Sequence, residues 1–204
     1  MCFTRTKFFE CSANIIGELF CHNLTDRSAV LFFFCQHDKP ESLSARAILG
    51  SLIRQCLDAN SMPKQIEARL ERLCGDSPDC EDLGDFMEDI LTVSSEQLIM
   101  IDAIDECETS QRDILLSTLR RLKNSRKVKP KIFLTSGLHI GAELKRALHI
   151  DHYISMASPE VHTDIKTYIE DVIAERVGNG DLVVGQPQLI TEIQKALITG
   201  AGGM

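Results

Sequence analysis

The sequence predicts a doubly wound, mostly parallel α/β sheet followed by a small helical segment, and three observations carry that prediction. Short continuous apolar runs of strand length recur along the chain. Between them lie segments with apolar residues at every third or fourth position, the period of a helix with one buried face. Beyond about residue 160 the helical period continues and no clear strand run returns. A strand buried on both faces reads as an unbroken apolar run, as in a parallel sheet covered by helices. Strands and helices in alternation argue for right-handed crossovers in one sheet.

The elements follow in order. "IIGELF" (15–20) predicts a short amphipathic helix, and "AVLFFFC" (29–35) the first strand. "HDKPES" is a loop from which Ser42 or Ser44 can cap the next helix. In that helix Ala45, Ile48, Leu49, Leu52, Ile53 and Cys56 share a face. Pro63 suits the first turn of another, with Ile66, Leu70 and Leu73 inward. "GDSPDCED" interrupts, and Leu83, Phe86, Met87, Ile90 and Leu91 mark a further helix. Leu98–Ile101 predicts the second strand, and "SQRDILLSTLRRL" a helix with Leu115, Leu119 and Leu122 in one stripe. "KIFLTS" (131–136) predicts a third strand, Ile140, Leu144 and Leu148 a helix, and "HYISM" (152–156) a short fourth strand. Ile165, Tyr168, Ile169, Val172 and Ile173 predict a helix ended by Gly178, and Pro187 opens the last one.

Composition narrows the function classes. A net charge of −8 argues against a nucleic-acid surface, and the basic stretch Arg120–Lys131 reads as a solvated helix end and loop. The eight cysteines form no CxxC pair and no zinc spacing with histidine. Cys35, Cys56 and Cys107 lie in apolar patterns and read as small hydrophobes, and Cys74 and Cys80 read as free thiols. The expectation is a reducing, cytoplasmic setting. No apolar run reaches the roughly 18 residues of a membrane span, and no leader pattern opens the chain.

The chemistry concentrates in "LIMIDAIDEC" (98–107), where a buried run stops on Asp102 and Asp105 and Glu106 follow. In open parallel sheets ligands bind beyond the carboxyl ends of the strands. A carboxylate there can hold a hydrated Mg²⁺ beside a phosphate, and a second acid can orient or deprotonate an attacking water. A purely structural reading stands beside this one. Asp102 caps the next turn, and Asp105 and Glu106 begin a helix whose dipole favours them. A haloacid-dehalogenase arrangement is excluded, because it needs Asp-x-Asp and this is Asp-x-x-Asp.

"LIMIDAIDEC" resembles the Walker B segment of the NACHT family, in the STAND class of P-loop NTPases. The nephrocystin-type N-terminal domains of fungal NOD-like receptors are the nearest pattern. "FFFCQHDKPESLSARAILGSLIRQCL" is similar to that family's second strand and following helix, and "KIFLTS" to its sensor-1 strand. "DIKTYIEDVI" is similar to the first lid helix, and "LITEIQKALITGAGGM" to a segment further into the lid. The resemblance implies that Asp102 is the Mg²⁺-associated acid. It makes Asp105 and Glu106 the catalytic pair, one of them positioning water, and puts Thr135 and Ser136 near the γ-phosphate. It divides the chain into a truncated NACHT-type α/β core, 1–159, and the start of a helical lid, 160–204. The implied activity is an ATP- or GTP-driven, Mg²⁺-dependent switch controlling oligomerisation of a receptor.

The departures matter equally. The family's glycine-rich phosphate loop, GxxxxGK[ST], belongs just before "SANIIGELF", where "MCFTRTKFFE" has no glycine. Lys7 falls near the Walker lysine's place but is followed by Phe8, and no first core strand precedes it unless "MCFTRT" supplies part of one. Gly137 stands where the family usually has arginine, and the chain stops inside a family segment. The expectation is therefore a fragment of a signalling NTPase that neither binds nor hydrolyses nucleotide on its own. The alternative is a non-enzymatic scaffold docking on related receptors. The expected partners are proteins, either copies of itself or related receptors, with no nucleic acid and no membrane.

Overall fold

The computed structural model describes residues 16–18, 28–59, 63–75, 77–94, 96–155 and 159–201. It divides into two compact units, one within 7–150 and one within 151–204.

The first unit is built on three parallel strands, β1 (Ser28–Phe34), β2 (Glu96–Asp102) and β3 (Lys131–Leu134), in the order β1-β2-β3. Leu31 pairs with Ile99 and Ile99 with Ile132, so Leu98–Ile101 lies between the other two strands. β2 lies at the centre, with an apolar residue on both faces at every position from Leu98 to Ile101. Ile99 and Ile101 sit in the main core, and Met100 between them is equally buried on the other face.

Burial on both faces was expected of all three strands and holds only for β2. β1 is half-buried at Phe32, Phe33 and Phe34, and β3 alternates between half-buried and exposed, with Phe133 38% exposed. Among the described residues β1 and β3 are the two edges of the sheet, so each lacks the neighbour that would complete its cover. The β1 edge has a specific substitute. The Gln55 carboxamide accepts from the Phe32 N–H at 3.0 Å and donates to the Phe32 carbonyl at 2.8 Å, pairing with the strand as another strand would.

Helices cover the core face. α1 (Ala45–Ala59) begins after Ser44, whose hydroxyl accepts from the Ala47 N–H at 3.1 Å. Ala45, Ile48, Leu49 and Leu52 on its inner face are fully buried. α2 (Lys64–Gly75) starts one residue after Pro63, whose carbonyl takes the first helical bonds. Its Ile66, Leu70 and Leu73 only half-bury against the core edge, as fits a helix otherwise charged. α3 (Cys80–Leu91) is started by a capping box between Asp79 and Asp82, a signal present in "DCED". α4 (Thr109–Lys123) buries Leu115, Leu119 and Leu122, and α5 (Gly141–Leu148) buries Leu144 and Leu148, with Ile140 just before it.

The basic stretch is used within the chain. Arg121 pairs with Asp85, Lys127 lies 3.3 Å from Asp89, and the Lys123 ammonium donates to the carbonyls of Leu148 and His149. The predicted fourth strand is not formed over 152–155. These residues are irregular, with Tyr153 51% and Ile154 76% exposed, and Met156 lies outside the described residues. Among the described residues the sheet holds only β1, β2 and β3, and 152–155 join none of them. Of the predicted helix at 15–20 only residues 16–18 are described, and they are helical with Ile16 buried.

The second unit consists of α6 (Pro159–Gly178) packed against α7 (Pro187–Ala201). Ile169 and Ile173 are its buried positions. Gly178 ends the first helix and Pro187 opens the second, as read from sequence. No helix among the described residues is long and apolar enough to cross a membrane.

Candidate functional site

All three strands run in one direction, so their carboxyl ends meet at one edge of the sheet. There the chain places Asp102, the last residue of β2, only 5% exposed. Thr135, the residue after β3, lies beside it. The Thr135 hydroxyl donates to Asp102 Oδ1 at 2.6 Å and accepts from the Ala103 N–H at 2.8 Å. The backbone is tied at the same level. The Thr135 N–H donates to the Ile101 carbonyl, the Ile104 N–H to the Thr135 carbonyl, and the Cys35 N–H to the Asp102 carbonyl.

Ala103 then turns the chain. It adopts a left-handed conformation, φ 55° and ψ 47°, uncommon for a residue with a Cβ. Strain of this kind persists where surrounding contacts over-determine it, and the Thr135 hydroxyl on the Ala103 N–H is one such contact. A 3-10 turn over Ile104–Glu106 follows, pinned by fully buried Ile104 and by Cys107. With both anchors inward, Asp105 and Glu106 are left half-buried at the rim.

The two rim acids diverge. Glu106 reaches toward the end of β1, where its Oε2 lies 3.2 Å from His37 Nδ1. Asp105 lies on the β3 side, its Oδ2 3.0 Å from where a Cβ on Gly137 would stand. That Cβ would also meet His139 Nδ1 at 2.8 Å, so Asp105 and His139 occupy the space beside Gly137. Ser136 is not drawn onto Asp102. Its hydroxyl makes a local bond to the Gly137 carbonyl at 3.2 Å.

Below the rim, Arg112 is 6% exposed and holds the loop from behind. Its guanidinium donates to both oxygens of Glu143, at 2.6 and 3.1 Å, and to the Cys107 carbonyl at 2.7 Å. The bidentate pair holds the Glu143 carboxyl below its ordinary value. Sequence reading passed over Arg112 because it lies in the leucine stripe of α4, three residues before Leu115. A charged residue on an apolar stripe was the available signal.

Beside the same loop, the Cys35 and Cys107 sulfurs are 3.8 Å apart and both buried. The hydrogen bond to Cys107, burial and the nearby acids push the Cys35 thiol up. Cys56, in the core, is pushed up to about 12 by burial.

Mg²⁺ is held by one or two carboxylates together with phosphate oxygens and waters. Asp102 offers a carboxylate of that kind. No three His, Cys, Asp or Glu among the described residues converge as an all-protein cage. The donor set fits an ion brought with a phosphate ligand. Lys7 and the glycine-free stretch 1–10 lie outside the described residues.

A family model described as Nephrocystin 3, N-terminal matches residues 11–137, more than half of the chain. The chain belongs to the nephrocystin 3 N-terminal family. No curated protein and no solved structure matches it. The nephrocystin-type match spans β1 through Gly137, so it covers the strand ends that carry Asp102, Asp105, Glu106, Thr135 and Ser136.

Proposed function

We propose that residues 1–159 are the α/β core of a NACHT-type signalling switch whose nucleotide site is degenerate. In this reading Asp102 is the Mg²⁺-associated acid, and Asp105 and Glu106 are the pair that would position water. Thr135 and Ser136 face the γ-phosphate, and 160–204 begins the lid. The observation that carries it is the bond between Asp102 and Thr135 at the carboxyl ends of adjacent parallel strands. Such a pair of strand ends is where a doubly wound sheet presents residues to a ligand.

The degeneracy follows from charge. Asp102, Asp105 and Glu106 attract Mg²⁺ but repel a triphosphate. A phosphate loop offsets that repulsion with a nest of amides and a lysine. Residues 1–10 hold no glycine to shape such a nest, and Gly137 brings no cation. The chain then acts through protein partners, which are copies of itself or related receptors.

Thermal unfolding in millimolar MgATP and MgGTP tests this. A ligand at a thousand times its dissociation constant stabilises by about 4 kcal/mol. The expectation here is under about 0.5 kcal/mol by the same relation, and no effect of Asp102→Asn on turnover. A shift of several degrees with either nucleotide, lost in Lys7→Ala or Asp102→Asn, would overturn the degenerate reading. Titration of the carboxylates with Mg²⁺ alone checks the remaining half. Binding that survives Asp102→Asn unchanged would remove Asp102 from its role.

A further inference from the structure

We propose that Cys35 and Cys107 are a redox pair, closed by a peroxide into a disulfide that clamps the acidic loop to the end of β1. The pair stands on geometry. The sulfurs are 3.8 Å apart, from positions 72 residues apart in sequence. They need approach by only about 1.8 Å to reach the S–S length of about 2.05 Å. Both sit on the underside of the candidate site. Cys35 follows β1 and its N–H is bonded to the Asp102 carbonyl, while Cys107 ends the turn that carries Asp105 and Glu106. Of the other described cysteines, Cys74 is exposed, Cys80 half-buried and Cys56 buried in the core.

The surroundings separate the roles of the two sulfurs. Cys35 is buried at the end of β1 with its N–H on the Asp102 carbonyl, and burial disfavours a thiolate. Cys107 lies on the cationic side, its carbonyl bonded to the Arg112 guanidinium at 2.7 Å, and a neighbouring cation favours a thiolate. The Cys107 sulfur is therefore the nucleophile. It attacks one oxygen of hydrogen peroxide, giving a sulfenic acid and one water. The Cys35 thiol then displaces the hydroxyl from that sulfur, giving the S–S bond and a second water. The balance is two thiols and one peroxide to one disulfide and two waters.

The clamp has a consequence for the site. Cys107 is already held through its carbonyl by Arg112. A bond from its sulfur to Cys35 fixes the remaining end of the turn, so Asp105 and Glu106 lose the freedom to move toward or away from the strand ends.

The test uses the full chain under native conditions. It is treated with hydrogen peroxide, acid-quenched, alkylated in denaturant and digested. The expected product is a Cys35–Cys107 linked peptide pair, two hydrogens lighter than the free peptides, reversed by dithiothreitol. Cys35→Ala should leave Cys107 as a sulfenic acid trapped by dimedone, and Cys107→Ala should leave Cys35 unoxidised over the same time. The oxidised chain should unfold several degrees higher than the reduced one. Peptides showing Cys35 and Cys107 oxidised separately to sulfinic acids would overturn the proposal. Scrambled links to Cys74 or Cys80 with no Cys35–Cys107 link would do the same. The wild-type peptide map decides this even if a variant fails to fold.

Discussion

Replacing Thr135 with valine keeps the shape and removes one oxygen, and that oxygen holds two things at once. It donates to buried Asp102 and accepts from the N–H of Ala103, the residue in the left-handed turn. A hydrogen bond to a charged group is worth about 1.5–3 kcal/mol, and a buried amide left without its partner costs about 1–3 kcal/mol. Thr135 is half-buried and water can replace part of both bonds, so the expected loss is about 2–4 kcal/mol. Thr135→Ser keeps the oxygen and should lose about 1 kcal/mol, the value of the missing methyl. Urea unfolding followed by circular dichroism at neutral pH measures both. Pairing Thr135→Val with Asp102→Asn in a double-mutant cycle isolates the shared bond, with an expected coupling of about 1–2 kcal/mol. A Thr135→Val loss below about 0.5 kcal/mol, or zero coupling, would refute the argument. It would mean that the hydroxyl does not join the two strand ends.

Two further outcomes follow from the geometry. Glu143 is held below its ordinary value of 4.5 by Arg112, so its contribution is complete above that value. It should disappear as pH falls through the lowered value. The stability difference between wild type and Glu143→Gln should therefore shrink on acidification below about pH 4.5 in urea titrations, and a difference that grows there would contradict the sign. Gln55→Ala removes both bonds to the Phe32 backbone and should cost about 1–2 kcal/mol. Gln55→Glu should recover only part of it, because a carboxylate can accept from the Phe32 N–H and cannot donate to its carbonyl. Equal stability of the alanine and glutamate variants would show that the edge pairing is idle.

The family resemblance brought Asp102 and Thr135 to one site, and the sequence by itself determined the alternation of strands and helices. It could do so because burial leaves a period in the chain. Unbroken apolar runs mark strands covered on both sides, and three-and-four spacing marks helices covered on one. Period also explains the failures. "HYISM" has the local composition of a strand, but a strand exists only where a neighbour offers its hydrogen bonds, and composition does not report neighbours. The half-buried edges β1 and β3 are the same lesson in weaker form, and the Gln55 carboxamide that finishes one edge comes from the helix packed on that strand rather than from any pattern. Within the site, the sequence placed three acids together but could not say that they diverge. Tertiary structure decided that Glu106 turns to His37 and Asp105 to Gly137 and His139. It decided that Arg112 is buried behind the loop with Glu143, and that Cys35 and Cys107 lie sulfur to sulfur across 72 residues of chain. Each of these is a contact between residues remote in sequence. Such contacts are fixed by where packed elements bring side chains, and a one-dimensional pattern carries no record of that.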